Sequence, residues 1–146
     1  MEDNYESLKI ENQICFPLYA TSKEIIRQYQ PFLSELDLTY TQYITMLVLW
    51  EYGDTNMKEL GKHLFLNSGT LTPLVRKLED KGYVKRKRNR KDERNLIIAL
   101  TPQGLGLKEK AVVIPQEMGR CVKLSPEEAG QLYKILYKVL AQLEEE

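Results

Sequence analysis

The apolar residues of this chain keep a helical spacing as far as Gly82, change to a strand-like pattern between Tyr83 and Leu100, and return to helical spacing after Thr101-Pro102. That double change of period points to a mainly α fold with one small β-hairpin set into it. The first helix is expected to begin just after Cys15, where Pro17 suits a first-turn position and Leu18, Tyr19, Ile25, Ile26 and Tyr29 keep the period. Thr39 with Gln42 has the form of a capping box and opens a second helix through Ile44, Leu47, Val48 and Trp50. Asn56 with Glu59 marks a short third helix. Ser68 with Leu71, Leu74, Val75 and Leu78 marks a fourth, which ends at Gly82 and needs Pro73 near its start.

Tyr83 and Val84 then lead into a hairpin and Leu96 to Leu100 lead out of it, around a turn-prone tip at Asn89 to Asp92. Beyond it, Thr101-Pro102 starts a helix carrying Leu105, Leu107, Val112 and Val113 that Pro115 is expected to break or kink. Cys121 is expected in a loop. Ser125-Pro126-Glu127-Glu128 caps a last helix with a stripe of Ala129, Leu132, Leu136, Val139, Leu140 and Leu143. This order reads as a winged helix-turn-helix: one domain over 1–146, its reading part at 55–101, with helices in 1–35 and 102–146 left to pair with a second copy as a homodimer.

At 146 residues the chain has the size of one domain, and its 42% hydrophobic and 29% charged residues suit a soluble globular protein. No apolar run is long enough to span a bilayer and no leader is seen, so a cytoplasmic protein with no membrane partner is expected. Two cysteines make no disulfide framework, and with the lone His63 they offer no metal-ligand set. A Ser-His-Asp triad would have to rest on His63, which suits a surface or capping position and is given no role. No cofactor is expected.

Net charge is zero, yet Lys85, Arg86, Lys87, Arg88, Arg90, Lys91 and Arg94 crowd the hairpin while acidic residues collect at both chain ends. A charge run on a hairpin is ordinarily a solvated turn. Here it follows a helix whose leading residues, Asn67, Ser68, Gly69, Thr70 and Thr72, are small and polar enough to approach base edges in a major groove. Arg76 and Lys77 could reach the backbone from the same helix. Arg86 and Arg88 would contact phosphates, Arg90 or Arg94 could enter the minor groove, and Asp92 could orient Arg94. The partner this implies is a double-stranded DNA operator.

Asp92-Glu93-Arg94 in a basic wing, followed by Leu100-Thr101-Pro102-Gln103-Gly104, resembles the MarR family of bacterial winged-helix repressors. Within that family the stretch Leu8 to Phe16 around Cys15, with Tyr29, Leu38-Thr39-Tyr40 and Leu66 to Pro73, is similar to the OhrR branch, which senses organic hydroperoxides. The resemblance implies a dimer on a pseudo-palindromic operator, released when Cys15 is oxidised. It also implies that Tyr29 and Tyr40 stand beside the cysteine of the opposite subunit and that Tyr19 shifts on oxidation. Cys121 lies where some members of the branch carry a second cysteine that resolves the first as an intersubunit disulfide; capping by a small thiol is the alternative. Pro17 directly after the reactive segment, and Cys121 itself, depart from the one-cysteine members.

A thiolate rather than a thiol attacks peroxide, so a sensor cysteine needs access and a site that favours its anion. The first turn of a helix and two hydroxyl donors would supply this. Without the resemblance, Cys15 reads first as a small apolar filler between Ile14 and Phe16, and the resemblance reverses that order. Two rivals stand beside the redox repressor. One is a MarR-type repressor released by a small phenolic ligand. The other is a thiol peroxidase, disfavoured because the acid and anion-stabilising groups of a turnover site are not seen, so no enzyme is expected.

Overall fold

The computed structural model describes the backbone of residues 4–89 and 92–144 and the side chains of 4–88 and 96–144. Two short 3-10 turns, Glu6–Leu8 and Ile10–Asn12, precede α1 (Cys15–Ser34), α2 (Tyr40–Tyr52), β1 (Thr55–Asn56), α3 (Met57–Leu64) and α4 (Ser68–Asp80). There follow β2 (Val84–Asn89), β3 (Asp92–Leu100), α5 (Pro102–Ala111), α6 (Val113–Cys121) and α7 (Pro126–Glu144). Among the described residues the strands form one antiparallel sheet in the order β1-β3-β2. The mainly helical chain with a small wing is therefore the expected winged helix-turn-helix.

Side-chain caps set most boundaries. The Thr39 hydroxyl accepts from the Gln42 N–H at 3.3 Å while the Gln42 amide oxygen accepts from the Thr39 N–H at 3.0 Å, closing the capping box of α2. Asn56 caps α3 and Thr101 caps α5 in the same way. The cap of α4 is Asn67, one residue before the expected Ser68, and its side chain accepts from the Thr70 N–H at 3.0 Å. At the other end Gly82 adopts φ 83°, and the N–H groups of Gly82 and Tyr83 donate to Glu79 and Leu78, a Schellman closure that turns the chain into β2.

Three details depart from the sequence reading. Strand β1 is only two residues long and carries no periodic signal. The break near Pro115 falls at Val112, because a proline at 115 cannot donate to the carbonyl of residue 111, where α5 ends. Cys121, expected in a loop, is the last residue of α6.

The chain divides into two compact units, Met1–Ile114 and Pro115–Glu146. In the first, Met46 and Leu49 of α2, Leu60 of α3, Leu71, Val75 and Leu78 of α4 and Ile98 of β3 are fully buried. Burying each such side chain contributes roughly 1.5–3 kcal/mol. Polar ties fasten the periphery: the Lys81 ammonium donates to the Gln42 amide oxygen at 2.8 Å and to the Asp37 carbonyl at 2.6 Å, and the Tyr83 hydroxyl donates to the Leu36 carbonyl at 3.0 Å. In the second unit Ser125 and Glu128 form the capping box that starts α7, whose side chains include no buried one. Among the described residues no helix is long and apolar enough to cross a membrane.

Candidate functional site

Two clusters of predicted site residues emerge, one on α4 and the wing and one around the aromatic residues of α1 and α2. In α4 the core takes Leu71, Leu74, Val75 and Leu78, which leaves Ser68, Gly69, Thr70 and Arg76 exposed and Thr72 half-buried on the other side. The turn from α3 into α4 is tight. A Cβ on Gly61 would meet the Leu66 carbonyl oxygen at 2.8 Å, and Phe65 adopts a left-handed φ of 56°. That turn delivers the small polar residues of α4 at its exposed leading end.

On β2, Lys85, Lys87 and Arg88 are exposed and pair with Ala99, Ile97 and Leu96 of β3, with an irregularity in register between Arg88 and Asn89. Arg86 differs from its neighbours. Its Nη2 and Nε donate to Glu79 Oε1 at 2.9 and 3.1 Å, and its backbone N–H donates to Glu79 Oε2 at 3.2 Å. These bonds hold the Glu79 carboxyl below the usual carboxylate range. Arg90 lies outside the described residues, and of Asp92 and Arg94 only the backbone, in β3, is described.

Cys15 is the first residue of α1 and its thiol is free and exposed. Tyr19, one turn on, is exposed on the same side of the helix. Tyr29 and Tyr40 bring their rings to 5.0 Å, and Tyr43, which the sequence reading did not single out, joins them at 5.7 Å from Tyr29 and 6.3 Å from Tyr40. The spacing of Tyr40 and Tyr43 puts both on one face of α2, a signal the sequence carried. Burial raises the Tyr29 and Tyr40 hydroxyls above the ordinary tyrosine value, and burial with the two neighbouring tyrosines pushes Tyr43 up to about 12. All three are protonated at neutral pH and can donate. Within one chain they are out of reach of Cys15, because the helical rise puts Tyr29 about 21 Å further along α1.

The remaining singled-out residues stand apart. Cys121 is free and exposed at the end of α6. His63 stacks on Tyr52 with ring centroids 4.4 Å apart. No group of side chains among the described residues could hold a metal ion.

A family model described as transcriptional regulator SarA/Rot matches residues 27–111. The organic hydroperoxide resistance transcriptional regulator of Bacillus subtilis strain 168 is 46% identical over 143 residues, covering 98% of this chain and 97% of that protein. The regulator SarZ of Staphylococcus aureus USA300 is 45% identical over 127 residues, covering 87% and 86%. Among solved structures, reduced AbfR bound to DNA is similar with a TM-score of 0.78 and 34% identity, covering 94% of this chain and 96% of that one. AbfR, from Staphylococcus epidermidis, is also known overoxidised on DNA (TM-score 0.77, 34% identity, 97% and 99% covered) and disulfide-formed (TM-score 0.67, 35% identity, 94% and 94% covered). These relatives are regulators rather than enzymes, and the chain belongs to the MarR-type winged-helix transcriptional regulators, in the branch that holds the organic hydroperoxide resistance regulator and SarZ.

Proposed function

We propose that the chain acts as a homodimeric repressor that grips a two-fold operator with α4 and the wing and lets go when an organic hydroperoxide oxidises Cys15. The observation that carries this reading is an exposed free thiol at the start of α1 combined with a protonated tyrosine cluster that its own chain holds out of reach. A second copy crossing at α1 would bring Tyr29 and Tyr40 to that thiol. Exposed apolar residues favour such a copy: Ile14 just before α1, Phe16 and Leu18 on it, and Leu132, Ile135, Leu136 and Val139 on α7. In this reading residues 55–101 approach DNA, and the helices of 1–35 and 102–146 form the dimer. Ser68, Gly69, Thr70 and Thr72 face bases, Arg76 and Arg88 face phosphates, and Asp92 orients Arg94 for the minor groove.

The chemistry balances with the oxidant as the only added reagent. The Cys15 thiolate attacks the terminal peroxide oxygen, the O–O bond breaks, and the alkoxide takes a proton and leaves as the alcohol. Cysteine is oxidised to the sulfenic acid and peroxide is reduced. The Cys121 thiol of the second copy then attacks the sulfenic sulfur and water departs, leaving an intersubunit disulfide. The relative AbfR favours this second step: its overoxidised form is described bound to DNA, and a disulfide form exists beside it. A disulfide needs its Cα atoms within about 4.4–6.8 Å, so closing it would draw the helices carrying the two cysteines together and move the reading elements out of register.

The test is a gel shift on DNA immediately upstream of the chain's own reading frame, with cumene hydroperoxide, with a salicylate-like phenol, and each with a dithiol reductant. Release by peroxide alone, reversed by reductant, supports the reading. Release by phenol alone would favour a small-molecule repressor.

A further inference from the structure

The wing and α4 are separate elements that must present themselves to one stretch of duplex together, and one carboxylate joins them. Glu79 lies in the last turn of α4, and Arg86 lies on β2, which is an edge strand because among the described residues β3 alone pairs with it. The Glu79 carboxylate takes the place of a missing neighbour strand by accepting the outward N–H of Arg86, and it also accepts the Nε and Nη2 edge of the guanidinium. This two-nitrogen fork is the geometry that separates arginine from lysine as a carboxylate partner. The Arg86 and Glu79 side chains are 28% and 33% exposed, while Lys85, Lys87 and Arg88 beside Arg86 are exposed residues. Partial withdrawal from water makes such a pair count for more than a surface contact.

We propose that Glu79 and Arg86 form a latch that fixes the angle between α4 and the wing, and that Arg86 serves DNA binding as a positioning residue through this latch rather than as a phosphate contact. The proposal rests on the DNA reading above and deepens it. The guanidinium edge that would grip a phosphate is already turned onto Glu79, so a phosphate would have to displace a carboxylate that also holds the strand's backbone. The latch also explains why a strand so rich in cations keeps one of them half-buried.

The test measures the free protein and the complex separately, using the full chain and a duplex from its own upstream DNA. Amide exchange at Arg86 should speed up in Glu79→Ala, since that N–H loses its acceptor; unchanged exchange would overturn the latch whether or not the duplex binds. Glu79→Ala and Arg86→Gln should each weaken binding by about 5- to 30-fold, the range of one to two lost kilocalories. The double variant should be no weaker than either alone. The slope of log affinity against log salt should stay at the parental value in all three, because no phosphate contact is lost. Arg86→Lys should fail to restore parental affinity, since a point charge cannot replace the fork. If Arg86→Gln lowers the slope by about one contact while Glu79→Ala leaves binding unchanged or tighter, Arg86 is a phosphate ligand and the proposal falls. A parent that does not shift the duplex would remove the DNA reading itself, while the exchange result still judges the latch.

Discussion

Tyr29 of α1 and Tyr40 of α2 hold their rings 5.0 Å apart at 55°, a pair built at the far end of α1 from the thiol it is proposed to serve. If their hydroxyls act across the dimer, their loss should be felt by the other chain's cysteine. Tyr29→Phe and Tyr40→Phe should each slow oxidation of Cys15 by peroxide. In a mixed dimer of Cys15→Ser with Tyr29→Phe, the one remaining Cys15 lies on the chain that lacks Tyr29, while the other chain keeps its Tyr29, so an intact site exists only if the contact is made between chains. Oxidation of that Cys15 at the parental rate would mean that the hydroxyl is supplied by the other chain, and oxidation at the slow rate of the Tyr29→Phe homodimer would mean that it is supplied from within the chain.

Cys121 ends a helix and is exposed, so it is accessible to a sulfenic acid. Peroxide-treated parent should run as a covalent dimer on a non-reducing gel. Cys121→Ser should run as a monomer, overoxidise at Cys15 or take up an added small thiol, and in the overoxidised form stay on DNA. A parent that stays monomeric and gains only oxygen or a small-thiol adduct would leave Cys121 a bystander.

Arg88 is exposed on β2 and has the character of a phosphate contact. Arg88→Ala should lower the salt slope by about one and weaken all DNA sequences alike. Arg94→Ala should instead cost about 1–3 kcal/mol on the operator and relax its sequence preference. Unchanged binding in both variants, with the fold intact, would remove the wing from recognition.

Gly104 lies where no side chain fits, because an added Cβ would run into the Tyr83 carbonyl oxygen. Its own carbonyl accepts from the Trp50 indole N–H at 3.0 Å, tying α2 to the first turn of α5. The obstacle is backbone and cannot rotate away. Gly104→Ala should therefore destabilise the fold by about 1–3 kcal/mol, read as a lower urea midpoint at unchanged slope.

Tyr43 supplies a pH prediction. Its hydroxyl is pushed up to about 12 in the fold against an ordinary value of 10.0, so the folded state holds this proton more tightly than the unfolded chain does. The stability it contributes is fully present below pH 10 and is lost as pH rises through about 12. Tyr43→Phe should flatten the fall in melting temperature across that window relative to the parent. An equally steep fall in the variant would place the loss elsewhere.

Much of the fold was legible because short polar signals sit directly at the boundaries. Thr39 with Gln42, Asn56, Thr101, and Ser125 with Glu128 each cap the helix they announce. Where the sequence misled, the cause lay in three-dimensional detail. Asn67 and Ser68 are both good caps, and only the backbone decides that Asn67 takes the role. Pro115 acts four residues upstream, through the carbonyl it cannot satisfy, so α5 stops before the proline and Cys121 falls inside a second helix. The partnerships within the candidate site were not legible. Arg86 looks like any other cation of the wing until Glu79, on another element, is seen to hold it.

Release of DNA by oxidation of Cys15 is tested by following operator binding and cysteine oxidation in the same sample. Fluorescence anisotropy of labelled upstream DNA and intact-protein mass should be read together as cumene hydroperoxide is added to the parent and to Cys15→Ser. Both proteins should bind alike before peroxide, the parent should release its DNA in step with modification of Cys15, and Cys15→Ser should stay bound throughout. Release of DNA from Cys15→Ser at the parental peroxide concentration, or full modification of parental Cys15 and Cys121 with the DNA still bound, would contradict release by oxidation of Cys15.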